Sequence, residues 1–323
     1  MSPLENYYFS VIIPVYNELE NLDALYRDLK IGLSVYEGKY EIIFVDDGSN
    51  DGSYNKLKTF AKENPFVKLL RFRRNFGQTA AMSAGIDHSS GNILVFMDAD
   101  LQNDPSDIPL LLKKLEEGYD VVCGWRKKRK DKLFYRKIPS QIANYIIRKV
   151  SHVNIHDIGC SLKVFRREII KDINMYGEMH RFLPVLAARI GADITEMPVK
   201  HHPRIHGKSK YGLNRTFKVL FDLITVQFMR SFSTKPIYLY GGFAIFSLIL
   251  SIFSGLAVLF MKLYWGTDIT GNPFFLLTIL CILITVIFLL MGIQSEVLIR
   301  IYHQQDKIKQ YYIKESQNIA DIP

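Results

Sequence analysis

The chain has 323 residues, three cysteines and a hydrophobic fraction of 48%. Its formal net charge of +9 at pH 7 indicates an anionic partner, such as nucleic acid, a phosphorylated substrate or anionic lipid. The cysteines are scattered and odd in number, which supports neither a disulfide framework nor a zinc site. The first residues lack a basic region followed by a long apolar run, so we expect no cleavable signal peptide.

From residue 8 to about residue 200, short apolar runs alternate with amphipathic stretches. The apolar runs favour strands in FSVIIPV, YEIIFVD, VKLLRF, NILVFMD and DVVCGW. The stretches between them favour helices in ELENLDALYRDLKIGL and near residues 54–62, 78–88 and 105–117. Continuous apolar strands separated by such helices predict an α/β fold, with a mostly parallel sheet covered on both faces.

Acidic residues follow two of the predicted strands. Asp46 and Asp47 end one, and Asp98 and Asp100 follow another, with Gln102 two positions later. Ligands of such sheets bind beyond the carboxyl ends of the strands. Two carboxylates and a carboxamide oxygen there form a hard-oxygen site suited to Mg²⁺ or Mn²⁺.

A second interpretation of the same segment is a helix-capping turn. Asp104 precedes Pro105, and Asp107 falls in the first turn of the predicted helix, which is typical of a helix start. Both interpretations stay open together, because the capping acids are not the acids of the D-x-D sequence.

After residue 235 the composition changes. Residues 237–261 and 274–295 contain no charged side chain. Each run exceeds 20 residues, so as a helix it reaches about 30 Å, the thickness of a hydrocarbon core. The pattern predicts transmembrane helices at about 237–261 and 274–298, with a pair of buried core helices as the alternative.

Basic residues flank the apolar runs on one side. The loop between the runs, KLYWGTDITGNP, holds one Lys and one Asp. The basic flanking residues are Arg215, Lys218, Arg230, Lys235, Arg300, Lys307, Lys309 and Lys314. Since positive charge stays on the cytoplasmic side, we expect both termini and the α/β domain to be cytoplasmic, at the inner (plasma) membrane.

The segment before the first apolar run favours an amphipathic helix. Leu213, Phe217 and Ile224 recur at helical spacing, while Arg215 and Lys218 occupy the opposite face. Such a helix lies along a membrane surface or, alternatively, packs on the soluble domain. The predicted organisation is an α/β domain at 1–206, a juxtamembrane segment at 207–235, transmembrane helices within 236–299 and a cytoplasmic tail at 300–323.

Four sequence motifs in order carry a resemblance to a known family. VIIPVYNE, VDDGSNDGS, RNFGQTAAMSAG and DADLQNDP resemble the family 2 inverting glycosyltransferases, which have the Rossmann-like GT-A fold. DADLQ with GCSLKVFRR and RIHGKSKYG looks more narrowly like the polyprenyl-phosphate glycosyltransferases, a group that includes dolichol-phosphate mannose synthase. With its two C-terminal apolar runs, the chain most resembles the bactoprenol (undecaprenyl-phosphate) glucosyltransferases within this group. The resemblance covers nearly the whole chain.

The resemblance implies a donor pocket and a metal site. The residues that match the donor nucleotide pocket are Pro14, Tyr16, Glu18, Asp46 and Asp98. Asp46 matches the acid that contacts the base, and a uracil N3–H is a suitable donor for it. The residues that match ligands of Mg²⁺ or Mn²⁺ are Asp98, Asp100 and Gln102.

The resemblance also implies an acceptor site. Arg126 and Arg136 match arginines near the acceptor phosphate, and Arg204 and Lys210 lie in a basic segment at the mouth of the site. For the two arginines, charge that orients the chain at a membrane is the alternative. Asp157 stands where the family carries its candidate catalytic carboxylate, beside the role of Asp100 at the metal.

The implied reaction is a single inverting displacement by a lipid phosphate oxygen on C1 of a nucleotide-activated sugar. A phosphate monoester, with a second pKa of about 6, is largely dianionic at pH 7, so a general base is less needed. Asp157 therefore either acts as a base or orients the acceptor or its basic partners. The expected donor is UDP-glucose, with GDP-mannose or a UDP-linked amino sugar as the alternatives.

Other functions are less consistent with these motifs. A processive polysaccharide synthase would carry Q-x-x-R-W and more apolar runs, and a dinucleotide dehydrogenase would carry G-x-G-x-x-G after the first strand. No nucleic-acid-binding module supports a nucleic acid partner. A membrane-anchored protein that binds nucleotide sugars without turnover remains an alternative, and the membrane helices leave room for a homo-oligomer.

Overall fold

The computed structural model describes residues 8–36, 39–127, 155–203 apart from 172, 174, 176 and 178, 237–304 and 310–319. The described residues form two compact units, one within 1–223 and 309–323 and the other within 224–308. The juxtamembrane helix expected at 207–235 lies outside the described residues.

The first unit is built on one sheet. Within the described residues its strands are β1 (Phe9–Val15), β2 (Tyr40–Asp46), β3 (Val67–Phe72), β4 (Ile93–Phe96), β5 (Val121–Trp125), β6 (Lys163–Arg166), β7 (Ile194–Pro198) and β8 (Ile313–Gln317). They lie in the order β7-β5-β6-β4-β1-β2-β3-β8. β6 runs antiparallel to β4 and β5, and β8 runs antiparallel to β3, while the other described pairs are parallel. The predicted, mostly parallel α/β sheet is confirmed.

Helices connect most of these strands. They are α1 (Leu19–Gly32), α2 (Ser53–Glu63), α3 (Gln78–Asp87), α4 (Ile108–Leu115), α5 (Arg167–Ile170), α6 (Leu183–Arg189), α7 (Ile237–Trp265) and α8 (Pro273–Gln304). Short 3₁₀ turns occur at Ser34–Tyr36, Pro105–Asp107 and Met179–Phe182. The predicted helix at 105–117 is thus a 3₁₀ turn that continues into α4.

Burial explains why the central strands contain so few polar residues. All residues of β2 and β4 are buried, because the sheet is covered on both faces. Two charged residues lie in β2, Glu41 near its start and Asp46 at its end, and Glu41 is 1% exposed. Its carboxylate accepts from Ser10 Oγ at 2.6 Å and pairs with Lys68 Nζ at 2.6 Å. Burial alone would raise the pKa of Glu41, but these bonds and the Ser90 N–H outweigh it and hold that pKa below its usual range.

The C-terminal strand β8 adds to the edge of the sheet beside β3. Its register pairs Leu69 with Gln317 and Arg71 with Glu315. Asn318, just after the strand, donates from Nδ2 to the carbonyl oxygens of Ala61 at 2.5 Å and Val67 at 2.8 Å. From the sequence, only a cytoplasmic tail was expected here, without a strand.

The second unit contains the two apolar helices. Both are long and apolar enough to cross a membrane, and both extend past the bounds expected from the sequence, α7 to Trp265 and α8 to Gln304. Ser247 Oγ donates to the carbonyl oxygen of Cys281 at 2.8 Å, which joins the pair. Only 28% of the apolar window of α7 and 11% of that of α8 are buried, which argues against a pair of soluble core helices.

Helix α3 packs so closely on β1 that no side chain fits at Gly85. A Cβ built there would lie 2.3 Å from Cγ2 of Ile12, which is fully buried. We expect Gly85→Ala to lower the free energy of unfolding by about 1–3 kcal/mol through overpacking. Thermal unfolding in detergent measures it. Ile12→Ala supplies the control, because it removes the clashing methyl; in its background Gly85→Ala should cost little. Equal losses in both backgrounds would contradict the packing argument.

Candidate active site

Charged residues gather at the edge of the sheet where the parallel strands end. Asp46 is the last residue of β2, and Asp98 and Asp100 follow β4. Because β6 runs the opposite way, its first residue, Lys163, lies at this same edge, in register with Phe96. The sheet thus brings side chains from three segments of the chain to one rim, at the carboxyl ends of its parallel strands.

The loop after β1 forms one side of this rim. Pro14, near the end of β1, and Tyr16 and Glu18, in the loop itself, are each half-buried. The backbone N–H of Glu18 donates to Ser53 Oγ at 3.1 Å, which ties this loop to the start of α2. The Glu18 carboxylate accepts from Asn21 Nδ2 at 2.6 Å, one turn along α1. Two loops therefore make a single wall beside the end of β2.

Asp46 is a buried carboxylate with spare hydrogen-bonding capacity. It has no exposed surface, and its Oδ1 accepts from the Ser49 N–H at 3.3 Å. Its Oδ2 has no hydrogen-bond partner in the described part of the chain, although Arg71 Nε lies 3.7 Å away. Burial raises the pKa of Asp46 despite the bonds from Ser49 and the charge of Arg71. A buried acceptor atom of this kind is suited to a ligand N–H.

Asp98 and Asp100 concentrate negative charge. Gln78 Nε2, at the start of α3, donates to Asp98 Oδ1 at 2.7 Å. Burial, and then the charge of Asp100, raises the pKa of Asp98 to about 6. Asp100 is 7% exposed and accepts from the backbone N–H of Gln102 at 3.2 Å. Leu101, which lies between Asp100 and Gln102 in sequence, has a φ of 60°, in the left-handed region that residues other than glycine seldom adopt.

The side-chain oxygens at this turn match part of the ligand set of a magnesium or manganese ion. Among the described residues, no group of three or more His, Cys, Asp or Glu side chains could hold a metal ion unaided. Such ions usually take only one or two protein carboxylates and complete their shell with waters and substrate phosphates. Asp98, Asp100 and the Gln102 carboxamide offer that partial set. Burial, and then the charge of Asp100, raises the pKa of Asp98, and a bound cation would act in the opposite direction.

Arg126 and Asp157 form a bidentate ion pair. Arg126 follows β5, and its Nε and Nη2 donate to the two Asp157 oxygens at 2.7 and 2.9 Å. The Arg126 backbone N–H donates to the same carboxylate at 3.3 Å. The side chains are only 13% and 7% exposed. Both oxygens of Asp157 are therefore engaged in holding Arg126, which favours the orienting role over the general-base role.

Lys163 is a site residue that the sequence analysis missed. It is 4% exposed, and burial lowers its pKa while Asp157 and Asp98 act to raise it. The signal was present in the sequence, because a lysine stands between Leu162 and the apolar residues Val164 and Phe165 at the start of β6.

The helix-capping interpretation of the segment after the D-x-D sequence is also confirmed. Asp104 Oδ1 accepts from the Ser106 N–H at 2.9 Å at the start of the 3₁₀ turn. Asp107 Oδ2 accepts from the Lys200 N–H at 2.6 Å, and the His202 N–H donates to the carbonyl oxygen of Gln102 at 2.9 Å. The segment after β7 is thus fixed against the turn that carries the two acids.

Nine of the residues singled out in the sequence lie in the described residues, in the loops and strand ends at this rim. These are Pro14, Tyr16, Glu18, Asp46, Asp98, Asp100, Gln102, Arg126 and Asp157. Arg136, Arg204 and Lys210 lie outside the described residues. Their role at an acceptor phosphate stays a prediction.

Comparison with known proteins gives one family and many relatives. Residues 10–173 match the family described as glycosyl transferase family 2. A dodecaprenyl-phosphate galacturonate synthase of Rhizobium johnstonii is 39% identical over 321 residues, covering 97% of this chain and 94% of that protein. An undecaprenyl-phosphate 4-deoxy-4-formamido-L-arabinose transferase of Shewanella sediminis is 34% identical over 313 residues, covering 95% of this chain and 92% of that protein.

Solved structures share the fold at low identity. A mannosyltransferase from Pyrobaculum calidifontis in complex with GDP-Man and Mn²⁺ aligns with a TM-score of 0.52 and 18% identity, over 70% of this chain and 64% of that chain. Glucosyl-3-phosphoglycerate synthase from Mycobacterium tuberculosis, in complex with Mn²⁺, UDP and glucosyl-3-phosphoglycerate, aligns with a TM-score of 0.53 and 16% identity, over 70% and 80%.

The ion pair of Arg126 and Asp157 should contribute to stability as well as to the site. We expect Asp157→Ala to lower the free energy of unfolding by about 3 kcal/mol, because it leaves a largely buried guanidinium without its partner. Replacing both partners, as Arg126→Met with Asp157→Leu, should recover most of the loss. Thermal unfolding in detergent measures both variants. An unchanged midpoint for Asp157→Ala would contradict the pairing.

Proposed function

Because the chain belongs to glycosyl transferase family 2, we propose that it transfers a sugar from a nucleoside diphosphate sugar to a polyprenyl phosphate. The family makes the chain a glycosyltransferase, and relatives that match nearly its whole length are named for polyprenyl-phosphate products. The observation that carries the proposal is the single rim on which the buried carboxylate of Asp46, the D-x-D pair and the Arg126–Asp157 ion pair lie.

The expectation of glucose finds no support in these relatives. Their names carry galacturonate and 4-deoxy-4-formamido-L-arabinose instead. We therefore propose a UDP-linked sugar as the donor and treat galacturonate as the first candidate, because the relative named for it shares 39% identity. GDP-mannose remains the alternative donor with a different base.

The donor is proposed to lie across the ends of β1, β2 and β4. The free oxygen of Asp46 would accept the N3–H of uracil, since it is buried and lacks a hydrogen-bond partner in the described chain. Asp98, Asp100 and Gln102 would hold a divalent ion beside the diphosphate. When bound, such an ion supplies positive charge that stabilises the departing diphosphate.

The acceptor phosphate is proposed to lie near Arg126. An oxygen of the phosphate attacks C1 of the sugar, and the bond from C1 to the diphosphate oxygen breaks with its electron pair leaving on UDP. The acceptor is already mostly dianionic at pH 7, so no proton must be removed. Asp157 is proposed to fix the guanidinium of Arg126 towards that phosphate, and alignment of the two reactants then supplies much of the rate. Arg136, Arg204 and Lys210 are proposed as further phosphate contacts.

The apolar helices are proposed to keep the enzyme at the membrane that holds its lipid acceptor. They are long enough to cross it, and a polyprenyl chain is itself confined to the bilayer. From the distribution of Lys and Arg, we propose that the catalytic domain and both termini face the cytoplasm, at the inner membrane.

A donor panel tests the proposed function directly. The purified protein is incubated with undecaprenyl or dodecaprenyl phosphate, Mn²⁺ and one radiolabelled donor at a time: UDP-galacturonate, UDP-glucose, UDP-4-deoxy-4-formamido-L-arabinose or GDP-mannose. We expect label in the lipid phase with one UDP-linked sugar, and none without the lipid phosphate. Tight UDP binding with no labelled lipid from any donor would favour a non-catalytic binding protein instead.

The metal role is tested on the acid that is most buried in the D-x-D turn. We expect transfer to stop after EDTA treatment and to return with Mg²⁺ or Mn²⁺. Asp100→Ala should lower kcat by a factor of about 100 or more, because it removes a ligand that acts on the leaving group. Thermal unfolding checks that the variant is folded, and Asp104→Ala, in the adjacent capping turn, is the matched control. Full activity in EDTA would rule out the metal.

A further inference from the structure

The C-terminal strand β8 brings an acid, Glu315, to the edge of the sheet beside β3. β8 pairs with β3, and Glu315 lies opposite Arg71 in that pairing. The register of this pairing shifts between Arg71 and Phe72, as it does at a β-bulge, where the direction of a side chain changes. Tyr311 anchors the approach to the strand, stacking on Phe72 at a centroid distance of 5.2 Å.

Glu315 is the hub of a polar cluster at this edge. Its Oε2 accepts from Tyr54 Oη at 2.5 Å, and its Oε1 lies 3.3 Å from Arg71 Nη1. Lys58 Nζ lies 3.8 Å from Oε2. The hydrogen bond from Tyr54 is the largest effect that holds the pKa of Glu315 below its usual range. The carboxylate is thus kept charged by groups on α2 and β3.

Arg71 links this cluster to the proposed base acceptor. Its guanidinium carbon lies 4.1 Å from the centre of the Tyr54 ring, a stacked position that restricts the side chain. Its Nε lies 3.7 Å from Oδ2 of Asp46, the same buried oxygen that has no hydrogen-bond partner in the described residues. One guanidinium therefore stands between Glu315 and Asp46, with separate nitrogens directed at each.

We propose that Glu315 is a positioning residue for nucleobase recognition, acting through Arg71 on the buried carboxylate of Asp46. The inference rests on the proposed function, in which Asp46 accepts the base N–H. Arg71 is the cation that offsets the charge of Asp46, and a fixed guanidinium does so without closing on Oδ2. The segment that follows the second apolar helix is thereby part of the nucleotide pocket.

A purely structural role would make Glu315 one more anchor of the tail. Asn318 separates the two roles, because its side chain also holds the tail, through Ala61 and Val67, and no bond links it to Arg71. Asn318→Ala weakens the docking of the tail alone, whereas Glu315→Gln keeps the shape of the side chain and removes its charge.

Calorimetric titration of the full-length protein with UDP and with diphosphate, both in Mn²⁺, tests the inference. Diphosphate lacks a base and reports on the metal site alone. We expect Glu315→Gln to weaken UDP binding about fivefold, as loss of a partly exposed ion pair would. Diphosphate binding should stay unchanged, the donor KM should rise with kcat unchanged, and Glu315→Asp should restore part of the affinity. Asn318→Ala should bind UDP as the wild type does.

The titrations distinguish a failure of the role proposed for Glu315 from a failure of the proposed donor class. Tight UDP binding by the wild type, unchanged in Glu315→Gln, overturns this inference alone. Equal weakening by Glu315→Gln and Asn318→Ala also overturns it, because tail docking would then explain the effect. Absence of UDP binding in the wild type overturns the proposed donor class and, with it, this inference.

Discussion

Negative charge buried at one edge of the sheet is the constraint on which the rest of this structure depends. Parallel strands deliver Asp46 and the D-x-D pair to the same rim, where water cannot fully solvate them. An unpaired carboxylate in such a place costs several kcal/mol. Nearby cations reduce that cost, because Arg71 lies beside Asp46 and Arg126 forms an ion pair with Asp157.

The compensation is incomplete at one place, and that place is where chemistry is proposed. Asp98 and Asp100 follow each other closely, and the charge of Asp100 adds to burial in raising the pKa of Asp98. The hydrogen bond from Ser161 and the charges of Lys163 and Arg126 lower that pKa by less than burial and Asp100 raise it. A divalent ion bound with a diphosphate would bring further positive charge to the two carboxylates.

The sequence predicted the acidic rim well, because it depends on strong local signals. Continuous apolar strands give the sheet, and acids at their ends fall on one edge whatever the details of packing. The partners of those acids were not predictable, since they come from distant segments. Asp157 was expected to act as a base or to orient the acceptor or its basic partners, and the folded chain shows that Arg126 is a partner it holds. The strand β8 was not predicted, because IKESQ is short and polar and lacks the apolar run that marks a buried strand. An edge strand can be polar, since it pairs with the sheet on one side only.

The central claim is that a divalent ion and a nucleotide diphosphate bind together at Asp98 and Asp100. Electron paramagnetic resonance of Mn²⁺, titrated into the protein with and without UDP, tests it directly. The account predicts that UDP tightens Mn²⁺ binding by a factor of about ten or more, as expected for coupled ligands. Asp100→Ala should abolish that coupling. Equal Mn²⁺ affinity with and without UDP would contradict the account.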